Sequence, residues 1–203
     1  MFPGFTASVL EPVFDLNARV LQRLVDEARC SDEETRIGIV VPLRRSLLEL
    51  SDVGLDRLAR CPICLLDAGF GEKARWLARL GEPCLAFGPK IAAFEFPRLE
   101  ALRLSQTLFM MVWAAANAQP VCAKIIFGMS EECLRVMRAL TSVQDLIEEC
   151  SHWVRPRWPD RPQVWQRLIG TAQQSPAARI PDVGVRALLQ MLADLEPATR
   201  HQQ

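Results

Sequence analysis

The stretch His152-Trp153-Val154-Arg155-Pro156-Arg157-Trp158-Pro159-Asp160-Arg161-Pro162-Gln163-Val164-Trp165-Gln166-Arg167 sets four arginines and three tryptophans against one acid. A guanidinium can grip phosphate with two parallel hydrogen bonds and an indole can stack on a base, so this mixture suits nucleic acid. It suits a protein interface equally, because Trp and Arg are the favoured anchors there. The plain alternative is that the tryptophans cap a core and the arginines are solvated. Trp153, Arg155, Arg157, Trp158, Arg161 and Arg167 are therefore the candidate contacts to DNA or to a partner. Arg44-Arg45 is a second basic spot, of a kind that is most often just an exposed helix face.

Cys61-Pro62-Ile63-Cys64 has the spacing of half a zinc site, since a two-residue gap lets both thiolates face one tetrahedral ion. No second Cys-x-x-Cys supplies the other ligands, and Cys150 with His152 is the nearest remaining pair. A redox pair should follow a strand and open a helix, whereas here a helical stretch precedes and Leu65-Leu66 follow. The seven cysteines, odd in number and scattered, are expected to be reduced and largely buried thiols, with no metal. Only two histidines exist, His152 and His201, and no Ser-His-Asp set, P-loop or dinucleotide fingerprint accompanies them. Glu33-Glu34, Glu131-Glu132 and Glu148-Glu149 are adjacent pairs, which on a helix diverge by about 100 degrees and do not converge on a substrate. Neither an enzyme nor a bound cofactor is expected.

The composition bounds the rest. The 203 residues allow one or two domains with a real core, and half of them are hydrophobic. Lys+Arg and Asp+Glu balance at 24 each, which weighs against binding DNA alone. The longest apolar run, Leu108 to Ala116, is nine residues, short of the roughly 20 that span a bilayer. The first ten residues carry no charge and show no signal peptide, so a cytoplasmic location is expected.

These residues must be positioned mostly by helices. Phe14, Ala18, Leu21, Val25 and Ala28, with Leu16, Val20 and Leu24 beside them, predict a helix over 13–29. Pro42 can open the next, and Ser51 is placed to cap a short one after it. Residues 62–70 and 152–158 read as short extended segments, and 71–80 as a helix stopped by Gly81. A strongly apolar helix is expected over 98–117, ended by Asn117 and Pro120. Ser130 and Thr141 read as further N-caps, and helices are expected over 162–169 and 183–195.

The pattern recurs at an offset of 88 to 90 residues. A long helix is followed by Gly38 in one copy and Gly128 in the other, then by Leu50-Ser51 and Leu140-Thr141. An aromatic closes each copy, Phe70 and Trp158, before a helix containing Trp76 or Trp165. The chain thus divides into residues 1–90, and residues 91–203 with the C-terminal helix.

In register, each copy resembles the FlhD family of flagellar and conjugative-element regulators. What carries the resemblance is Asp15-Leu16-Asn17 opening a long apolar helix, then the Gly38 to Leu50 spacing and Leu50-Ser51-Asp52-Val53-Gly54-Leu55-Asp56-Arg57-Leu58-Ala59 closing on Phe70. The second copy matches from Phe127-Gly128-Met129-Ser130-Glu131-Glu132 to Leu140-Thr141. Its end departs, with Trp158 two residues early and Pro156 interrupting. The resemblance implies an all-helical subunit that dimerises through its first helix and activates promoters with a FlhC-like partner. Two tandem copies would build that dimer within one chain, as a pseudo-dimer joining Leu21 and Leu24 of the first helix to Leu104, Leu108, Met111 and Val112 of the second. The helix over 98–117, apolar nearly all round, is expected to be buried on every side. The expected function is that of a transcriptional regulatory subunit whose DNA contacts come largely from its partner. The alternative is a protein-interaction module without DNA, such as an accessory or sorting component of a bacterial secretion system.

Overall fold

Val13, Leu16, Val20, Leu21, Leu24, Val25 and Ala28 return to one side of a helix every three or four residues, and all are buried along α1 (Ala7–Arg29). The structure, a computed structural model, describes residues 7–30, 37–81 and 96–173, so the helix expected over 183–195 lies outside the described residues. Helices α2 (Val40–Leu48) and α3 (Asp52–Ala59) fold back onto α1. Ser51 caps α3 from an extended backbone, its hydroxyl accepting from the Gly54 N–H at 3.1 Å. Then come β1 (Leu66–Asp67) and α4 (Lys73–Arg79), with the chain turning at Gly81, φ 73°.

The second segment holds α5 (Arg98–Ala118), α6 (Pro120–Phe127), α7 (Glu131–Ala139) and α8 (Gln144–Cys150). A 3-10 turn at Ser151–Trp153, β2 (Arg155–Pro156) and α9 (Pro162–Gln173) complete it. The protein is mostly helical, as expected. Among the described residues the one sheet pairs β1 antiparallel to β2, with Leu66 opposite Pro156 and Asp67 opposite Arg155.

The packing follows a single scheme. Helices α2 and α3 lie on α1, and α7 and α8 lie on α5. The last helix of each segment crosses to the other: α4 packs on α7, and α9 packs on α2 and α3. Helices α1 and α5 touch, and Arg23 Nε lies 3.2 Å from a Glu100 carboxylate oxygen across that contact. Phe70 sits in the shared core, edge-on to Phe109 at 5.6 Å and to Phe127 at 6.4 Å, and stacked on Trp76 at 6.2 Å. Trp76 and Trp165 are fully buried, and each indole N–H donates at 2.7 Å to a backbone carbonyl, of Gly69 and Arg157 respectively.

Several expectations are corrected. Thr141 is not an N-cap: the Gln144 N–H is taken by the Ser142 hydroxyl at 3.2 Å, and Val143 is drawn into the core, so α8 starts later. Pro120, expected to end the helix before it, instead opens a further helix, α6; its missing N–H costs nothing at a first helical position. Helix α9 runs beyond 169 to Gln173. The short extended segments expected near 62–70 and 152–158 are present, as β1 and β2 of two paired residues each. Helix α5 is not buried on every side, because Leu99, Leu102 and Met110 stay outside.

Asn17 holds the loop between α3 and β1. Its amide nitrogen lies 3.3, 3.1 and 3.0 Å from the carbonyl oxygens of Ala59, Cys61 and Ile63, and its oxygen accepts from the Leu65 N–H at 2.8 Å. Replacing it with an apolar residue strands these buried backbone groups, at about 1–3 kcal/mol each where no water substitutes. Asn17→Leu should therefore lower the unfolding free energy by about 3 kcal/mol or more in urea titrations. Thr107→Ala, on the half-buried edge of α5 with its hydroxyl bonded only to the Arg103 carbonyl, should stay within about 0.5 kcal/mol.

Candidate functional site

The Arg/Trp stretch enters the structure through the 3-10 turn, β2 and the start of α9, and most of it points inward. Arg155 donates to a Glu72 carboxylate oxygen at 2.8 Å and lies 3.7 Å from Asp67. The other Glu72 oxygen is 2.9 Å from Arg75, whose guanidinium carbon stands 4.1 Å from the centre of the Trp153 ring. Trp153 is half-buried, edge-on to Trp76 at 6.2 Å and to His152 at 5.6 Å. This cluster joins the β1–α4 corner to the end of the 3-10 turn.

Arg157 is only 6% exposed. One of its terminal nitrogens donates to the carbonyls of Ile126 at 2.8 Å and Cys64 at 3.2 Å, and the guanidinium stands 5.1 Å from the Trp158 ring centre. Burial disfavours its charge and lowers its pKa, while nearby Asp67 favours the charge. Gly128 makes room for it: a Cβ there would meet the guanidinium at 2.1 Å, and Gly128 also turns the end of α6 with φ 66°. Trp158 is buried, edge-on to Trp165 at 6.5 Å.

Arg44 caps the end of α1, donating at 3.0 Å to the carbonyls of Ala28 and Cys30. Arg45 pairs with Glu49 at 2.8 Å on the surface. Arg161 is half-exposed and Arg167 exposed, and neither forms an ion pair among the described residues. The structure therefore gathers Trp153, Arg155, Arg157 and Trp158 into an internal clasp and leaves Arg161 and Arg167 facing water.

Of the long-helix residues, Leu21, Leu24, Leu104, Leu108 and Val112 are buried and Met111 is half-buried. Sequence reasoning missed the outward face of α5. Leu99, Leu102 and Met110 are 62%, 39% and 47% exposed, and with Gln106 they follow one another at helical spacing. Beside them a cleft of about 350 Å³ between α1 and α5 is lined by Arg19, Glu100, Arg103, Leu104, Gln106 and Thr107. The readable signal was that α5 is apolar over more of its circumference than one core contact needs.

Cys61 and Cys64 are buried, and desolvation pushes their thiols up to about 11 and about 12. Among the described residues no three His, Cys, Asp or Glu side chains cluster as metal ligands, and no helix is long and apolar enough to cross a membrane. Comparison with family profiles, with curated proteins and with solved structures finds no match to this chain.

Two measurements follow from the clasp and the thiols. Arg157→Ala leaves the Cys64 and Ile126 carbonyls without their donor and should cost about 3 kcal/mol or more of stability, against at most about 0.5 kcal/mol for Arg161→Ala or Arg167→Ala. Because the folded thiols titrate above the ordinary value of 9.0, the folded state holds its protons longer. Their contribution should be constant below that pH and lost as pH rises toward 11–12, read as a falling urea midpoint. A thiol reagent at pH 8 should label exposed Cys30 long before Cys61 or Cys64.

Proposed function

We propose that the chain is a FlhD-like regulatory subunit of a transcriptional activator, with two tandem copies packed as an intramolecular pseudo-dimer, reaching promoter DNA together with a FlhC-like partner. The observation that carries this reading is the exposed stripe Leu99, Leu102 and Met110 on α5, set against arginines turned inward. An apolar stripe on a helix suits a protein partner, whereas phosphate needs cations facing out. The balanced net charge supports the same division of labour. Support for the pseudo-dimer comes from element order: α1, α2, α3, β1 and α4 are followed about 90 residues later by α5, α7, α8, β2 and α9. The contacts correspond as well, α4 on α7 answering α9 on α2.

The inward use of Arg155 and Arg157 favours one second reading, a protein-interaction module without DNA, such as an accessory or sorting component of a bacterial secretion system. Gel shifts on promoter fragments separate the two. The first reading expects no shift by the chain alone, a shift with a FlhC-like companion, and loss of that companion in Met110→Asp without loss of stability. Neutralising Arg161 and Arg167 should leave the salt dependence of the complex unchanged. A slope reduced by about 0.9 per arginine would mean that this chain touches phosphate directly. Co-purification with secretion-apparatus subunits and no shift in any combination would favour the second reading.

A further inference from the structure

The cleft of about 350 Å³ between the two long helices is walled by Arg19 of α1 and by Glu100, Arg103, Leu104, Gln106 and Thr107 of α5. That size lies at the lower end of the range for small-molecule sites. The one acid in the lining is already engaged, because Glu100 lies 3.2 Å from Arg23 Nε. Arg19 and Arg103 are exposed, and neither forms an ion pair among the described residues. Two guanidiniums thus reach one concavity from different helices, and two like charges there favour an anion between them. Both stand on packed helices, so the cleft is set by the fold and not by a loop.

The rest of the lining narrows the ligand. Each guanidinium offers parallel N–H donors, and two of them can share the terminal oxygens of one phosphate group. Gln106 is exposed, and the Thr107 hydroxyl, which donates to the Arg103 carbonyl at 3.2 Å, keeps its oxygen free to accept. Both suit hydroxyl groups on the body of the ligand, beside the apolar contact of Leu104. The described lining holds no aromatic ring on which a base would stack, which disfavours a nucleotide. An extended polyanion is disfavoured as well. Glu11 and Asp15 precede Arg19 at four-residue intervals on the exposed side of α1, where they would repel neighbouring phosphates. We propose that this cleft binds a compact phosphomonoester bearing hydroxyl groups, with Arg19 and Arg103 clasping its phosphate. This inference depends on neither a protein partner nor DNA.

Titration of the full chain with glycerol phosphate at constant ionic strength, followed by calorimetry and by amide NMR shifts, tests it. The expected result is saturable binding with a Kd below about 1 mM, with shifts centred on 15–23 and 100–107. Inorganic phosphate should compete, and glycerol should not bind. Arg19→Gln and Arg103→Gln should each weaken binding at least about tenfold while leaving the urea midpoint unchanged. Arg167→Gln, an exposed arginine of α9, should bind as the unaltered chain does. Titration without saturation up to about 10 mM would overturn the proposal. Equal weakening by Arg167→Gln would overturn it too, since that means diffuse attraction to positive charge. Duplex DNA bound through Arg103, with no competition from glycerol phosphate, would assign the two arginines to nucleic acid instead.

Discussion

The structure depends on keeping the backbone from Ala59 to Leu65 satisfied while it runs through the core. Buried peptide groups without partners are costly, and after Ala59, the last residue of α3, this stretch belongs to neither a helix nor a sheet until Leu66. Two side chains meet that requirement from opposite directions. Asn17, on α1, takes the carbonyls of Ala59, Cys61 and Ile63 and the N–H of Leu65. Arg157, just past β2, takes the carbonyl of Cys64, and its own N–H donates to the carbonyl of Leu65 at 2.7 Å. The Cys64 N–H in turn donates to Ile126 at 3.0 Å. With the loop held, Leu66 and Asp67 can pair with β2, and Cys61 and Cys64 are sealed as neutral thiols.

The same constraint explains why the arginine-rich stretch does not form a basic groove. Arg155, in β2, meets Glu72 and Asp67, while Arg157, just past the strand, enters the core in the space left by Gly128. Both join material from the first segment to the second. Because α4 and α9 are also exchanged between segments, neither segment encloses a core by itself. Local opening of one is coupled to loss of packing in the other.

Much of this was legible. The apolar spacing of α1 (apart from Ala18, which is exposed, and Phe14, which is half-buried), the capping hydroxyls of Ser51 and Ser130 and the stop at Gly81 are local, and local signals survive folding. Asn17 was legible in part, as the polar residue inside the stripe of Val13, Leu16, Val20 and Leu24, although its partners lie more than 40 residues away. The destination of Arg157 was not legible, since a long side chain reaches core or solvent from the same sequence position. It turns on the space left by Gly128, which only the fold brings near. Thr141 failed as a cap because Val143 was pulled inward, a tertiary demand that overrides a local preference.

The outward face of α5 has a counterpart on α1 made of Glu11, Asp15, Arg19 and Gln22, all exposed. A dimer of identical chains must present any surface twice, but two segments joined in one chain can diverge. Here one long helix turns leucine and methionine outward and the other turns charge. Among the described residues the leucine and methionine face of the long helices therefore occurs once per chain, on α5 alone.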